Sequence, residues 1–362
     1  RQSRLEHSRR PHVLDYCYHF HFYKYYDPTI VSPQASRPLT GREKEGFRTL
    51  GICVGKPPKF YDAFPRAKPD EYLVLEDYED LINRAEELRK KNTIIIPHSS
   101  LIYYLGRENF TGMAVPTFGN RTSIEWESDR DKESRWFLGA GIQMPKKIDD
   151  PHDIKGPVMV EYEGAKGGKG FFVAKNYKEF SELVDHTQKY TIHEYINGTR
   201  YDLHYFYSPI RNDGYTLSKG SLELLSMDRR VESNADEIFR LGSPRELIES
   251  GICPTYVLTG NVPLVARESI LSRIFSLGEQ VVEESLALFG GITGAFCIEA
   301  VITDSLDIKV FELSSRIVSG TNLYISGSPY SDLMQKRLST GRRIALEIKE
   351  AAKSNQLDKI LS

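Results

Sequence analysis

Between residues 158 and 175 the chain reads VMVEYEGAKGGKGFFVAK, in which four glycines and two lysines separate two runs of alternating apolar residues. A Walker-type phosphate loop would need a Ser or Thr after a Gly-Lys pair and then a helix, because the helix N-terminus helps to bind the anion. Here three apolar residues follow Gly170, which also excludes the dinucleotide pattern G-x-G-x-x-G, and the first typical helix N-cap is Asn176. The loop is therefore predicted to join two strands.

The composition of this loop favours binding of a phosphate chain. Glycines can adopt positive φ and present successive backbone N–H groups to an anion, while lysines add positive charge. The alternative is a flexible hairpin tip, but such tips seldom need four glycines and two cations within seven residues. The predicted phosphate-binding residues are Gly164, Lys166, Gly167, Gly168, Lys169 and Gly170.

The overall composition excludes several classes of protein. The chain has 362 residues, 40% hydrophobic and 27% charged, which is enough for two or three packed units. A formal net charge of -2 without a basic tract gives no reason to expect a nucleic-acid partner. No apolar run approaches the ~18 residues of a membrane helix, and no secretory leader is visible. The scattered cysteines form no C-x-x-C pair and favour a reducing cytoplasm; they are Cys17, Cys53, Cys253 and Cys297.

The first 42 residues differ from the rest of the chain. They crowd His, Tyr and Arg together and show no helical or strand periodicity over a useful length. We expect residues 1–42 to be an anomalous or disordered leader and readable sequence to begin near residue 43.

Three segments with clear strand and helix patterns follow. Residues 43–120 alternate the strand-like runs RTLGICV, EYLVLE and NTIIIPHSS with the helix-like run YEDLINRAEELRKK, which predicts an open, mostly parallel sheet. Ligands bind beyond the carboxyl ends of such strands, where residues 98–100 read His-Ser-Ser. Residues 121–190 carry the glycine loop, and residues 191–362 carry a long helix and two final strands. The predicted fold class is α/β (α+β).

Two carboxylates on those final strands are candidate metal ligands. Glu299 and Glu312 are thirteen residues apart, and if ITDSLD forms the connecting hairpin they can lie side by side on one face of an antiparallel pair. One or two protein carboxylates, completed by phosphate oxygens and water, are what Mg²⁺ needs. Arg316 could add a fork of donors for a phosphate oxygen. The alternative is a surface carboxylate pair balanced by Lys309.

These features resemble a known family. The strand-loop-strand glycine motif, the segment IHEYINGT and the pattern E-x-S-x-R from Glu312 to Arg316 are similar to the ATP-grasp ligases, which have a Rossmann-like pre-ATP-grasp domain. More narrowly, VPTFGNRTSIEWESDRDKESRWFLGAGIQMPKK, YEGAKGGKGFF, HYFYSP, LSMDRRVESN, TYVLTGNVPLVARES and FELSSRIVSGTN resemble the archaeal formate-dependent 5-formaminoimidazole-4-carboxamide ribonucleotide synthetases of purine biosynthesis. The resemblance runs from about residue 43 to the C-terminus.

The resemblance implies a cytoplasmic, homo-oligomeric ligase that uses ATP, with Mg²⁺ or Mn²⁺, to join formate to the amine of aminoimidazole carboxamide ribonucleotide (AICAR), giving the formylated product FAICAR. It also implies roles for individual residues. Lys166 and Arg316 would assist catalysis at the phosphate groups, and Glu299 and Glu312 would hold the metal. The hinge residues Glu194, Tyr195 and Ile196, together with Glu232, would bind ATP, and Ser100 and Asn261 would hold the ribonucleotide.

Local alternatives exist for some of these residues. Ser100 could instead be a helix N-cap after the strand. For His204 and Tyr205, in HYFYSP, aromatic packing within a strand is the preferred interpretation.

The sequence departs from the family at two places. Glu161 stands where the family has a lysine that contacts the α-phosphate and adenine, and a carboxylate there would repel phosphate. The family's first strand carries a Ser-His pair that binds substrate, whereas VSPQASRPLT precedes residue 43 here. Two alternatives therefore remain, namely a different ATP-grasp carboxylate-amine ligase and a catalytically impaired nucleotide-binding paralogue.

Overall fold

The computed structural model describes residues 20–24, 47–57, 68–166, 169–232, 258–318 and 340–362. For residues 20–24, 100, 164–166, 169 and 258 it describes the backbone alone. Within these ranges the main strands form three sheets, and none of the helices is long and apolar enough to cross a membrane.

The N-terminal sheet has the strand order β3-β2-β1-β4, with β1 (Phe20–Lys24), β2 (Arg48–Val54), β3 (Glu71–Leu75) and β4 (Thr93–Ile95). Strands β2 and β3 run parallel, but β1 lies antiparallel between β2 and β4. A strand in this position supplies backbone hydrogen-bonding partners to both neighbours, whichever way it runs. The three expected strands β2, β3 and β4 therefore run in one direction, and β1 is antiparallel to them. The strand within residues 1–42 is an addition to the predicted sheet.

Six α-helices follow within the described residues up to Gly139. They are α1 (Asp80–Asn83), α2 (Ala85–Lys90), α3 (Ser99–Leu105), α4 (Arg107–Gly112), α5 (Arg121–Glu127) and α6 (Arg130–Gly139). The run expected to form one helix forms α1 and α2, because Arg84 between them has φ -91° and ψ 1°. Strand β4 is shorter than expected, since Pro97 has no backbone N–H to donate to a neighbouring strand. Helix α3 already begins at Ser99. Ser100 is thus inside the first turn, and its assignment as an N-cap is wrong.

A small antiparallel sheet carries the glycine loop, with the order β6-β5-β7 and the elements β5 (Val158–Lys166), β6 (Lys169–Ala174), α7 (Tyr177–Leu183) and β7 (Tyr190–Glu194). The loop joins β5 to β6, with Val160 opposite Phe172, so the strand-to-strand prediction is confirmed. Asn176 caps α7 by accepting the N–H of Glu179 at 3.1 Å. Phe180 of α7 covers one face of the sheet.

The large sheet has the order β11-β10-β8-β12-β13. Its elements are β8 (Thr199–Ser208), β9 (Tyr215–Thr216), β10 (Ser221–Glu232), β11 (Leu258–Leu264), α8 (Glu268–Phe289), β12 (Gly294–Ile302), β13 (Ile308–Ser314) and α9 (Thr340–Lys353). The predicted hairpin between the two final strands is confirmed. One face packs on α8, where a Cβ at Gly278 would lie 2.8 Å from the ring of Tyr205, so glycine permits the close approach.

Helices α5 and α6 pack on the large sheet's helix rather than on the small sheet. Trp136 of α6 is buried, and its indole N–H donates to the carbonyl of Val281 in α8 at 2.9 Å. Phe137 belongs to the same core. The first part of the segment assigned to the glycine-loop lobe, residues 121–139, therefore packs with the other lobe.

The opposite face of the large sheet is covered at one end by α9, through a buried ion-pair network. The fully buried Arg343 donates to Glu223 Oε1 and to Glu347 Oε2, each at 2.8 Å. Its guanidinium lies 4.1 Å from the ring centroid of Phe206 on β8. Glu347 also accepts the hydroxyl of Ser208 at 2.6 Å. The other end of this face carries the charged residues of the candidate site.

Replacement of Arg343 by Ala is expected to lower the free energy of unfolding by about 3 to 5 kcal/mol, because two buried carboxylates lose their cation. Urea unfolding followed by circular dichroism measures this loss. Lys353→Ala, at an exposed position of the same helix, is the matched control and should change stability by less than about 0.5 kcal/mol. Equal effects of the two variants would show that the network does not hold α9 to the sheet.

Candidate functional site

Four acidic residues form a row across neighbouring strands of the large sheet. Asp228 on β10 faces Asp202 on β8. Asp202 in turn faces Glu299 on β12, and Glu299 faces Glu312 on β13. Residues directly opposite each other in antiparallel strands project from the same side of the sheet. The four carboxylates therefore lie on one face, and the predicted side-by-side arrangement of Glu299 and Glu312 is confirmed.

A β-bulge in β13 makes this arrangement possible. Near the turn the register pairs Ile302 with Ile308 and Ala300 with Val310, and it then shifts so that Glu299 faces Glu312. Without the extra residue, Phe311 would face Glu299, and Glu312 would point to the other side of the sheet. Bulges of this kind re-aim a side chain, and here the shift completes the carboxylate row.

Two arginines neutralise the buried member of the predicted metal pair. Arg200 Nη2 lies 2.6 Å from Glu299 Oε2, and Arg230 Nη2 lies 2.6 Å from Glu299 Oε1. Arg230 also reaches Asp202, with Nε 3.2 Å from Oδ1. Although burial opposes ionisation, Arg230 and Arg200 hold the pKa of Glu299 below its ordinary value. The alternative of a surface pair balanced by Lys309 is wrong, because Glu299 is buried and its cations are these arginines.

Two further carboxylates of the row have raised pKa values. Burial and the charge of Glu299 raise the pKa of Glu312 to about 7 and that of Asp202 to about 6. A divalent cation beside Glu299 and Glu312 would favour their charged forms. Among the described residues no group of three or more His, Cys, Asp or Glu side chains could hold a metal. Two carboxylates nevertheless suffice for Mg²⁺ that also binds phosphate oxygens.

His204 lies at the far end of the row. Its Nε2 is 3.0 Å from Asp228 Oδ2, and both side chains are buried. The expected aromatic packing is therefore wrong for His204, which forms a polar pair instead. It is confirmed for Tyr205, whose ring stacks on Phe296 with centroids 5.0 Å apart.

Arg316 joins the large sheet to the N-terminal sheet. Its Nη1 donates to Ser99 Oγ at 2.5 Å, and its Nη2 lies 3.0 Å from Glu127 Oε1. The backbone N–H of Ser99 donates to the carbonyl of Ile317 at 3.0 Å. Burial and the neighbouring Arg316 lower the pKa of His98 to about 3, so this imidazole is neutral. The predicted phosphate ligand Arg316 is thus placed at the start of α3, beside the predicted substrate residue Ser100.

Carboxylates from α5 and α6 hold the end of β13 in place. Glu127 accepts hydrogen bonds from the backbone N–H of Ser315 and, at 2.8 Å, from its hydroxyl. Glu133 accepts the N–H of Leu313 at 2.9 Å. These contacts lie between Glu312 and Arg316 and fix the segment that carries both.

The small sheet presents its uncovered face to this site. Met159 and Val173 alternate with core residues and are 36% and 41% exposed. Glu161 shares their side of β5, and its Oε1 lies 3.6 Å from Arg130 Nη2 at the start of α6. The charge of Arg130 also acts on Glu312. Arg130 therefore links the small sheet to the carboxylate row, and the region between them is here called the cleft.

The hinge residue Glu194 contacts the segment before β5, whereas Glu232 and Asn261 lie near the arginines of the carboxylate row. Glu194 Oε1 accepts the N–H of Lys146 at 2.9 Å, while Tyr195 is 45% exposed. Glu232 Oε1 lies 3.7 Å from Arg200 Nη1, and Asn261 faces Arg230 across β11 and β10. A cavity of about 320 Å³ opens here, lined by Gly198, Thr199, Arg200, Arg229, Arg230 and Glu232.

Some predicted site residues fall outside the described parts of the structure. Gly167 and Gly168 are not described, and the side chains of Ser100, Lys166 and Lys169 are not described. Gly170 has φ +83°, as expected for a loop glycine. Ile196 follows the hinge strand β7 and is half-buried next to an exposed Asn197.

Sequence reasoning missed the cations and acids that surround the metal pair. Arg200, Asp202 and His204 occupy every second position of TRYDLHYF, a period that marks one face of a strand. That alternation indicates a strand with one polar face. No local pattern indicated that Arg130 would meet Glu161, because the pairing depends on how two lobes pack.

Comparison with known proteins places the chain among purine-biosynthetic ligases. Residues 28–148 match a family model described as a protein of unknown function, DUF1246, and residues 175–362 match one described as a domain of unknown function, DUF1297. The first match begins earlier than the expected start near residue 43. The 5-formaminoimidazole-4-carboxamide-1-(beta)-D-ribofuranosyl 5'-monophosphate synthetase 2 of Methanosarcina mazei is 97% identical over 334 residues, covering 92% of this chain and 94% of its own length. The corresponding synthetase of Archaeoglobus fulgidus is 40% identical, with 92% and 93% covered.

Solved structures agree on the fold. The crystal structure of an IMP biosynthesis protein PurP from Thermococcus kodakaraensis has a TM-score of 0.69 at 26% identity and covers 92% of this chain and 99% of its own. An N5-carboxyaminoimidazole synthetase from Staphylococcus aureus complexed with ADP has a TM-score of 0.54 at 14% identity, covering 82% and 70%. The predicted ATP-grasp fold is thereby confirmed.

The raised pKa of Glu133 is expected to make the stability of the protein depend on pH. Burial raises its pKa from the ordinary value of 4.5 to about 8, although Leu313 and Arg130 favour the charged form. The folded state thus holds this proton more tightly than the unfolded chain, so the contribution of Glu133 to stability falls as pH rises from about 5 to about 8. Glu133→Gln keeps an acceptor for Leu313 and should gain melting temperature over the wild type across this range. Glu125→Gln on exposed α5 surface is the control, and an equal pH profile for all three proteins would contradict the assignment.

Proposed function

Because the chain belongs to the family of 5-formaminoimidazole-4-carboxamide ribonucleotide synthetases, we propose that it joins formate to the amine of AICAR at the expense of ATP. The products are FAICAR, ADP and phosphate. The chain is thus an ATP-grasp ligase that forms a C–N bond in purine biosynthesis. A cytoplasmic location and a homo-oligomeric state complete the proposal.

The carboxylate row is the observation that carries this proposal. Glu299 and Glu312 lie side by side on one face of the large sheet, and Arg130, which contacts Glu161 on the sheet that bears the glycine loop, also acts on Glu312. An ATP-dependent ligase needs such a cleft, because the phosphate chain must meet a metal on one side and backbone donors on the other.

The chemistry explains why ATP is required. Formate is a poor acylating agent, since hydroxide is a poor leaving group. Phosphorylation gives formyl phosphate, which the weakly nucleophilic amine can attack. The new N–C bond forms as the C–O bond to phosphate breaks, and phosphate leaves with the electron pair. The protein has to exclude water from this intermediate.

Different residues of the chain would bind the phosphates, the adenine and the ribonucleotide. The glycine loop with Lys166 and Lys169 would clamp the triphosphate, and Arg316 would donate to a phosphate oxygen. The exposed apolar side chains of Met159 and Val173 would cover the adenine, next to the hinge. Glu232, Ser100 and Asn261 would complete nucleotide and ribonucleotide binding.

Glu299 and Glu312 fit a divalent cation. The two carboxylates lie side by side on one sheet face, and burial together with the charge of Glu299 raises the pKa of Glu312. When bound there, Mg²⁺ or Mn²⁺ would neutralise charge on the transferring phosphoryl group. Arg200 and Arg230 hold Glu299 in place.

Glu161 is the observation that favours a second candidate function. This carboxylate lies on the cleft side of β5, where it would repel a phosphate. A catalytically impaired nucleotide-binding protein, or a ligase for another acid and amine, would retain the same cleft without forming FAICAR.

Omission of each substrate in turn distinguishes these functions. ADP release, coupled to detection of formylated ribonucleotide, should require formate, AICAR and ATP together, because formate accepts the phosphoryl group and the amine consumes the intermediate. ADP release with another acid and amine, and no FAICAR, would leave only the ATP-grasp class. Binding of Mg-ATP without any turnover would favour the impaired paralogue.

Glu312→Gln is expected to keep the fold and to reduce turnover by about 100-fold or more, because the amide fills the same space but loses the charge that binds the metal. Initial rates over a Mg²⁺ titration measure this loss, and a thermal melt verifies folding. Glu108→Gln, on the exposed side of α4, should behave as the wild type. An unchanged magnesium dependence in Glu312→Gln would move the metal site elsewhere.

A further inference from the structure

Arg130 occupies the middle of the cleft and is surrounded by carboxylates from three elements. Its Nη1 lies 3.3 Å from Glu133 Oε2 on the same helix, and its Nη2 lies 3.6 Å from Glu161 Oε1 on β5. The charge of Glu312 on β13 also acts on it. The guanidinium therefore stands between the strand that leads into the glycine loop and the predicted metal pair.

These contacts do not immobilise the guanidinium. Its side chain is 65% exposed, and 3.6 Å is beyond hydrogen-bonding distance. Exposed ion pairs of this kind add only about 0 to 1 kcal/mol to stability. Arg343 shows the contrasting case, since it is fully buried with two hydrogen bonds at 2.8 Å. Arg130 Nη1 donates a hydrogen bond to Glu133 Oε2 at 3.3 Å, while Nη2 makes only the longer contact with Glu161 and can turn towards an anion in the cleft.

The charges around Arg130 indicate a role in binding an anion. Glu161 Oε1 lies 3.6 Å from Arg130 Nη2, so without Arg130 a phosphate chain next to β5 would meet this carboxylate without the cation beside it. A planar guanidinium forms paired hydrogen bonds with phosphate oxygens. A carboxylate behind the guanidinium can hold it in position for this contact.

We propose that Arg130 binds the phosphate chain of ATP across the cleft and that Glu161 positions it there. The inference rests on the proposed function, and it gives Glu161 a role in nucleotide binding rather than against it. Arg130 supplies the positive charge on this side of the cleft, where the resembling family has a lysine on the strand itself.

Calorimetric titration with Mg-ATP, in the absence of formate and AICAR, tests the assignment. Arg130→Gln should weaken binding about 10-fold or more, the range expected for loss of hydrogen bonds to a charged group. Arg130→Lys keeps the charge but loses the paired N–H donors of the guanidinium. Its affinity for Mg-ATP should therefore lie between those of the wild type and Arg130→Gln. Arg135→Gln, which removes the same charge from a position of α6 that faces Trp126, should bind as the wild type.

The double variant separates a role in phosphate binding from a role in packing. In Arg130→Gln, Glu161 faces the phosphates without its cation, so adding Glu161→Gln should restore part of the lost affinity. Wild-type affinity in Arg130→Gln, with only its melting temperature lowered, would overturn the inference and leave the proposed function standing. A wild-type protein that binds no Mg-ATP would overturn both.

Discussion

The two ion pairs that join Glu299 to Arg200 and Arg230 are the interaction on which the site depends. A buried carboxylate without a cation would cost several kcal/mol, and here it stands next to two further acids. The arginines make a charged Glu299 possible inside the sheet. They also keep its two oxygens fixed in space, which prepares the row for a divalent cation. The fold can therefore concentrate negative charge on one face before any metal or nucleotide is present.

The carboxylate row is held by contacts from three parts of the chain. Within β13 a bulge at Phe311 turns Glu312 to the face of Glu299, and Phe311 itself packs 4.9 Å beneath the guanidinium of Arg200. Glu133 and Glu127 then accept the backbone N–H groups of Leu313 and Ser315, which follow Glu312. Arg316, which follows β13, links this strand to the N-terminal part of the chain through its hydrogen bond to Ser99. A shift in any of these contacts would move the predicted metal ligands relative to the cleft.

Local patterns in the sequence predict part of this arrangement, and long-range packing decides the rest. The glycine loop between two strands, the Asn176 cap and the final hairpin all follow from short-range rules and are confirmed. The pairing of Glu299 with Glu312 was predicted without the bulge that it requires, because a one-residue shift leaves no clear trace in the sequence. Strand β1 was missed because its neighbours, not its own periodicity, place it in the sheet. The contact of Arg130 with Glu161 joins two lobes and has no local signal at all.

Electron paramagnetic resonance of Mn²⁺ tests the central claim, that the arginine-held carboxylate pair is the metal site of the nucleotide cleft. Bound Mn²⁺ loses the sharp signal of the free aquo ion, so occupancy can be counted directly. The account predicts that ADP together with the wild-type protein removes Mn²⁺ from the free pool more than either alone. The variant Glu299→Gln/Glu312→Gln, which should retain its fold, is predicted to abolish this cooperative uptake. Undiminished uptake by the folded double variant would contradict the account.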